Sequence, residues 1–204
     1  MSNTSAARPT ARAAKIAKLA VIPVALIASG IVVSQASYSA YSATTTNPTS
    51  NWSSGTVNLT DDDSNAAMFS ATNLKPGSTG SKCIVVTSTG SLASSVKLYA
   101  TNATTTKALA SSINLTITQG TGGSFGSCSG FTAAATSSSV FSGTADSFGS
   151  TATSYATGVG AWTPTGTANE SRTYKIDYTL AANAPDSTQG GTAAMALTWE
   201  AQNS

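Results

Sequence analysis

Thr173-Tyr174-Lys175-Ile176-Asp177-Tyr178-Thr179-Leu180 decides the fold class. Tyr174, Ile176, Tyr178 and Leu180 fall on one side of an extended chain; Thr173, Lys175, Asp177 and Thr179 fall on the other. Successive side chains of a pleated strand point in opposite directions, so this period of two with one polar face marks an antiparallel strand packed on one side. The pattern recurs outward along the chain. Met195, Leu197 and Trp199 oppose Ala196, Thr198 and Glu200, and Ile113, Leu115 and Ile117 oppose Asn114, Thr116 and Thr118. Val57 and Leu59 oppose Thr56, Asn58 and Thr60. Residues 83–87, with Ile84, Val85 and Val86 consecutive, read as a strand buried on both faces, and residues 96–100 as another.

Turn chemistry separates these runs: Lys75-Pro76-Gly77, Thr89-Gly90, residues 120–123, Pro185-Asp186 and Gly190-Gly191. In Lys75-Pro76-Gly77, Pro presets φ at one central position and Gly supplies a positive φ at the next. Roughly seven to nine short strands between such turns predict an all-β chain, a jelly-roll-like antiparallel β-sandwich over residues 51–204. Residues 120–168 are rich in Gly, Ser, Thr and Ala with weak periodicity. They read as an elaborated loop with a short helix around Ala145 to Tyr155.

Of the 204 residues, 9% are charged, against about a quarter in ordinary domains. Coiled coils and charge-driven disordered chains are excluded by that composition. The chain has no histidine. That removes Ser-His-Asp and Cys-His nucleophile systems and every imidazole-ligated metal site, and no catalysis is expected.

Arg8, Arg12, Lys15 and Lys18 precede an apolar run over residues 19–33, which leads into Ser34, Ala36, Ser37, Ser39 and Ala40. Basic, apolar, small is the order of a secretory signal peptide. It predicts a signal over residues 1–39, cut near residues 36–40 by an export signal peptidase, and a secreted protein, extracellular or at the cell surface. Pro23 and Gly30 inside the run argue against a retained membrane helix. With the signal gone, six basic residues (Lys75, Lys82, Lys97, Lys107, Arg172 and Lys175) face eight acidic ones and form no cluster, so no nucleic-acid partner is expected.

Cys83 and Cys128 are the sole cysteines. In an exported chain they most simply pair, whereas a redox thiol pair usually has CxxC spacing. A loop of that size stabilises by about 4 kcal/mol in the chain-entropy model. Asp61-Asp62-Asp63-Ser64-Asn65 is the one dense run of hard oxygen ligands. Asp61, Asp63 and Asn65 match the first three positions of a calcium loop, but Ala66 stands where that loop needs Gly and Thr72 where it needs Glu. Calcium is therefore the one candidate ion, against a plain reading as a solvated acidic hairpin tip. No other cofactor and no small-molecule substrate are expected. Trp162, beside Gly160 and Pro164, is the candidate exposed aromatic for stacking on sugars, whereas Trp199 shares a face with Met195 and Leu197 and reads as core.

From Trp52-Ser53-Ser54-Gly55-Thr56-Val57-Asn58-Leu59 onward the chain resembles the camelysin/TasA family of exported, fibre-forming matrix proteins. In that family a "GTL-x-L" strand leads to "NLKPGD", and "NGSLA" follows about a dozen residues later. Here the matching stretches are Asn73-Leu74-Lys75-Pro76-Gly77 and Thr89-Gly90-Ser91-Leu92-Ala93, with Leu197-Thr198-Trp199-Glu200-Ala201 similar to the closing strand. The likeness covers roughly residues 37–100 and 190–202. Ser78 replaces a common Asp, and the cysteine pair is not a general family feature. Some relatives are classed as metallopeptidases, which a chain without histidine does not support.

The resemblance implies a secreted structural subunit of an extracellular surface or biofilm-matrix fibre, self-associating by β-strand donation. Residues 40–50 suit the donor role: Tyr41, Ser42, Ala43, Thr44, Thr45 and Thr46 are uncharged and extended-prone, and Pro48 discourages a longer ladder. The alternative is a monomeric exported cell-wall glycan-binding module using aromatics near Trp162.

Overall fold

Glu170–Leu180, the strand that carries the alternating stretch, lies inside a sheet rather than at its edge. The computed structural model describes residues 53–203. In chain order it contains β1 (Leu59–Asp61), β2 (Thr79–Ser88), β3 (Ser94–Thr105), β4 (Ile113–Thr121), β5 (Thr132–Ala133), β6 (Ser139–Thr144), helix α1 (Ala145–Thr151), β7 (Val159–Trp162), β8 (Glu170–Leu180) and β9 (Ala193–Asn203). A six-stranded sheet runs β1-β2-β8-β4-β5, with β6 also paired to β4, and a three-stranded sheet runs β7-β3-β9. Every strand pairing is antiparallel. The fold is thus predominantly β, with two sheets packed as a sandwich.

Register explains why the alternation was legible. Tyr174 pairs with Ile84 of β2 and Ile176 with Ile117 of β4, so the apolar side chains of three neighbouring strands share one face. That face packs on Val96, Leu98 and Ala100 of β3. Each buried aliphatic side chain contributes about 1.5–3 kcal/mol relative to exposure.

The turn at Lys75-Pro76-Gly77 forms as expected. Gly77 has φ 85°, and the Ser78 N–H donates to the Lys75 carbonyl at 2.8 Å. Two further bonds, Gly77 N–H to the Leu180 carbonyl and Leu180 N–H to the Ser78 carbonyl, both 2.8 Å, pin the turn to the end of β8.

Residues 120–168 are more ordered than a loop with one helix. They hold β5, β6, α1, a 3₁₀ turn at Tyr155–Thr157 and β7. The expected helix is present but ends at Thr151, and Thr144 caps it by accepting from the Ser147 N–H at 3.1 Å. β6 (Ser-Val-Phe-Ser-Gly-Thr) and β7 (Val-Gly-Ala-Trp) escape periodicity because their alternating positions are filled by small residues. The strand expected from Val57 begins at Leu59; the stretch before it instead binds the β2–β3 turn, with Thr89 N–H donating to Asn58 O and Ser91 N–H to Thr56 O.

Candidate functional site

β9 ends the smaller sheet. It pairs with β3 from Ser94↔Asn203 to Thr105↔Ala193, and its other edge pairs with no strand among the described residues. Met195, Leu197 and Trp199 point toward the core from this strand, yet all three are half-buried. On β3, next door, Leu98 and Val96 are 0% exposed. The difference traces to an open groove of about 1070 Å³ beside β9, lined by Met195, Leu197 and Trp199, by Ile84, Leu115 and Ile176 of the larger sheet, and by residues 66–76. Trp199 leans on Tyr174 with ring centroids 5.2 Å apart at 52°. The Tyr174 hydroxyl is buried without a hydrogen-bond partner among the described residues. Burial pushes its pKa up to about 12, the Arg172 charge and then the nearby Trp199 indole tempering the rise.

Residues 67–74 form the far wall of the groove and make no hydrogen bond with another described residue. They are held by side chains: Phe69 meets Tyr178 edge-on at 5.0 Å, and Met68 packs on the core. On the outer side of β9, Glu200 accepts from Gln202 Nε2 and from the Tyr99 hydroxyl, both at 2.8 Å. These two bonds, in that order, hold its carboxyl below the usual range.

Cys83 and Cys128 form the expected disulfide, Cα atoms 5.2 Å apart, with Cys83 fully buried. The donor residues Tyr41, Ser42, Ala43, Thr44, Thr45 and Thr46, the signal over residues 1–39, and Trp52 all lie outside the described residues.

The acidic run is not the tip of a tight hairpin: β1 pairs with β2, but residues 62–78 separate the two strands, and part of this connection lines the groove. Asp61 Oδ1 accepts from the Asp63 N–H at 3.3 Å, and Asp63 Oδ1 from the Asn65 N–H at 2.6 Å, so these candidate ligands serve their own turn. Burial, and then the hydrogen bond with Asp63, raise the Asp61 carboxyl. Among the described residues no group of three or more His, Cys, Asp or Glu side chains gathers as a metal site would require. The central Asp62, which sequence reasoning passed over, binds two distant backbone segments: Val85 N–H at 2.8 Å and Phe125 N–H at 2.7 Å. No local signal distinguishes it from its neighbours, because its partners lie on other parts of the chain.

Trp162 overturns its expectation. It is 5% exposed, pairs with Val96, and carries the Arg172 guanidinium 5.6 Å from its ring centroid. The weak pattern around it reflected a short strand at the flank of the core, not an exposed platform. Trp199 packs against the core as its neighbours on the strand suggested. In comparisons with known proteins, the chain matches no family model and no curated protein.

Proposed function

We propose that this chain is an exported structural subunit that assembles with copies of itself by strand donation, residues 41–46 of one copy pairing along the free edge of β9 in the next. The open groove beside β9 carries this reading. An exposed sheet edge offers unpaired N–H and C=O groups, and main-chain bonds to an added strand supply much of the affinity in β-augmentation. The groove adds an apolar wall, Met195, Leu197 and Trp199, that a subunit alone leaves half-covered. Tyr41 is the donor's one large side chain and would fill that wall, while Ser42, Ala43 and the threonines keep the strand slim and uncharged. Donor and acceptor are different surfaces, so the contact does not close on itself and repeats into a filament.

The rest of the reading fits this role. The basic, apolar and small segments in succession support export through a signal peptide over residues 1–39. A jelly-roll topology is supported by consecutive strands crossing between sheets (β2 to β3 to β4, and β7 to β8 to β9) and by the late β8 lying between β2 and β4. The subunit acts by assembling and carries no catalytic role. The glycan-binding alternative loses the aromatic it rested on, since Trp162 is buried.

Negative-stain microscopy with sedimentation tests the reading. The purified protein is expected to form regular filaments on incubation, and a variant lacking residues 40–48 is expected to keep its β circular-dichroism signal without forming them. Tyr41→Ala should weaken assembly less than the deletion, because backbone bonds carry the larger share. Filaments from the deletion variant indistinguishable from the parent's would sink strand donation by this segment.

A further inference from the structure

The two sheets meet the groove side of the molecule with edges in opposite states. Among the described residues the outer edge of β9 pairs with no strand, whereas the outward edge of β2 is covered in three successive pieces. β1 pairs with Val86, Thr87 and Ser88. The Asp62 carboxylate then takes over: Oδ1 accepts from the Val85 N–H at 2.8 Å. Beyond it, residues 124–126 lie parallel to β2, with the Gly126 N–H donating to the Cys83 carbonyl at 3.1 Å. The second Asp62 oxygen ties this segment in by accepting from the Phe125 N–H at 2.7 Å, and the Cys83–Cys128 disulfide anchors it covalently. Lys82 reaches across to within 5.9 Å of the Phe125 ring centroid.

This is a long way for a chain to travel to cover a strand edge. The segment leaves β4 at Thr121, reaches β2, and returns to pair with β4 again at Thr132 and Ala133. Strand pairing between β4 and β5 would be served by a far shorter connection. What the excursion achieves is occupation of outward-facing backbone groups on β2, the kind of edge that otherwise templates pairing with another chain. Low overall charge makes that hazard sharper here, since copies of this protein repel each other weakly.

We propose that the disulfide-held segment of residues 124–128, together with the Asp62 carboxylate, is an edge guard: it blocks a latent pairing surface on β2 whose partner is a second copy of this chain. Association is thereby kept off the β2 edge, and the disulfide bears on assembly in addition to stabilising the fold. The proposal concerns β2 and stands apart from the identity of the strand that pairs with β9.

The test is hydrogen–deuterium exchange with light scattering on the purified protein across a concentration series, comparing the parent with Cys83→Ala/Cys128→Ala and, separately, with Asp62→Ala. In the cysteine variant at low concentration, the Gly126 and Phe125 amides are expected to exchange at least about tenfold faster than in the parent. As concentration rises, new protection should appear over residues 81–85 alongside larger particles. Asp62→Ala keeps the disulfide and should show the same two effects more weakly, centred on Val85, which preserves the test if the cysteine variant does not fold. Parental exchange in both variants, or unmasked amides with no concentration-dependent association, overturns the guard. Protection growing over residues 193–203 alone also overturns it while leaving strand donation at β9 standing. Filament loss on deleting residues 40–48 bears only on donation.

Discussion

On one flank of the sandwich, β6 and β7 come together where Val140 lies close over Gly160, Val140 and Trp162 both belong to the core, and α1 adds Phe148, which is 0% exposed and packs edge-on to Phe141 at 4.9 Å. On the other flank, β9 ends the small sheet beside a groove, its core-facing Met195, Leu197 and Trp199 half-buried, with residues 67–74 held there by side chains alone. Both flanks draw on the same kinds of residue. A short helix and its cap, with Thr144 accepting from Ser147, finish the core on the first; nothing among the described residues finishes it on the second. Burial of apolar surface is the main favourable term in folding, so the unfinished flank is where a further strand would gain most.

The largest test of this contrast is a matched pair of truncations. Leu98→Ala, in the closed core of β3, is expected to cost about 2–5 kcal/mol by chemical denaturation, because it leaves a cavity among packed neighbours. Leu197→Ala, two strand positions from the partner of Leu98 on half-buried β9, should cost well under half as much in the isolated subunit and should impair assembly more than stability. Equal losses from the two variants would erase the distinction between the flanks.

Tyr174 joins the two regions, buried in the core on one side and against Trp199 on the other. Below pH 10 its hydroxyl is neutral whether the chain is folded or not. From pH 10 to about 12 the unfolded chain ionises while the folded one does not, so stability falls as pH rises through that window. The loss should reach about 3 kcal/mol, and Tyr174→Phe should abolish this component. At pH 7 the same variant should be neutral or slightly stabilising, since the hydroxyl it removes has no hydrogen-bond partner among the described residues. Melting curves of both proteins from pH 7 to 12 decide it; a large loss at pH 7 would show that the hydroxyl is bonded after all.

The smallest effect belongs to the turn that frames the groove. A Cβ at Gly77 would meet nothing within 4 Å, yet φ there is 85°, so Gly77→Ala should cost about 1–2 kcal/mol through backbone strain alone. Its fluorescence-monitored denaturation midpoint should shift modestly, without any change in assembly.

Strands with one polar and one apolar face were legible in the sequence: β4, β8 and β9 follow from alternation, and the Pro76-Gly77 turn from its dihedral preferences. β2 was found from its run Ile84-Val85-Val86, which suggested burial on both faces, whereas Val85 and Thr87 are only half-buried and one face carries the core. β6 and β7 were not, because Ser, Gly and Ala at alternating positions leave no hydrophobic contrast to read. The candidate site was hidden for a different reason. Met195, Leu197 and Trp199 announce a strand, but whether that strand lies inside a sheet or at its edge depends on partners far along the chain. Asp62 is the extreme case: two of its neighbours look equally capable, and its role depends on Val85 and Phe125, 23 and 63 residues away. Trp162 was misplaced because a Gly- and Pro-flanked tryptophan looks exposed until β3 and Arg172 are seen to cover it.

The central claim is that β9 accepts a strand from residues 41–46 of another copy. A synthetic peptide spanning residues 40–48, titrated into the variant that lacks those residues, tests this most directly when amide exchange is followed along β9. Alternate amides between Ala193 and Asn203, those facing away from β3, should become protected with saturation, while the amides already bonded to β3 stay unchanged. Exchange along β9 that is identical with and without saturating peptide would contradict the claim.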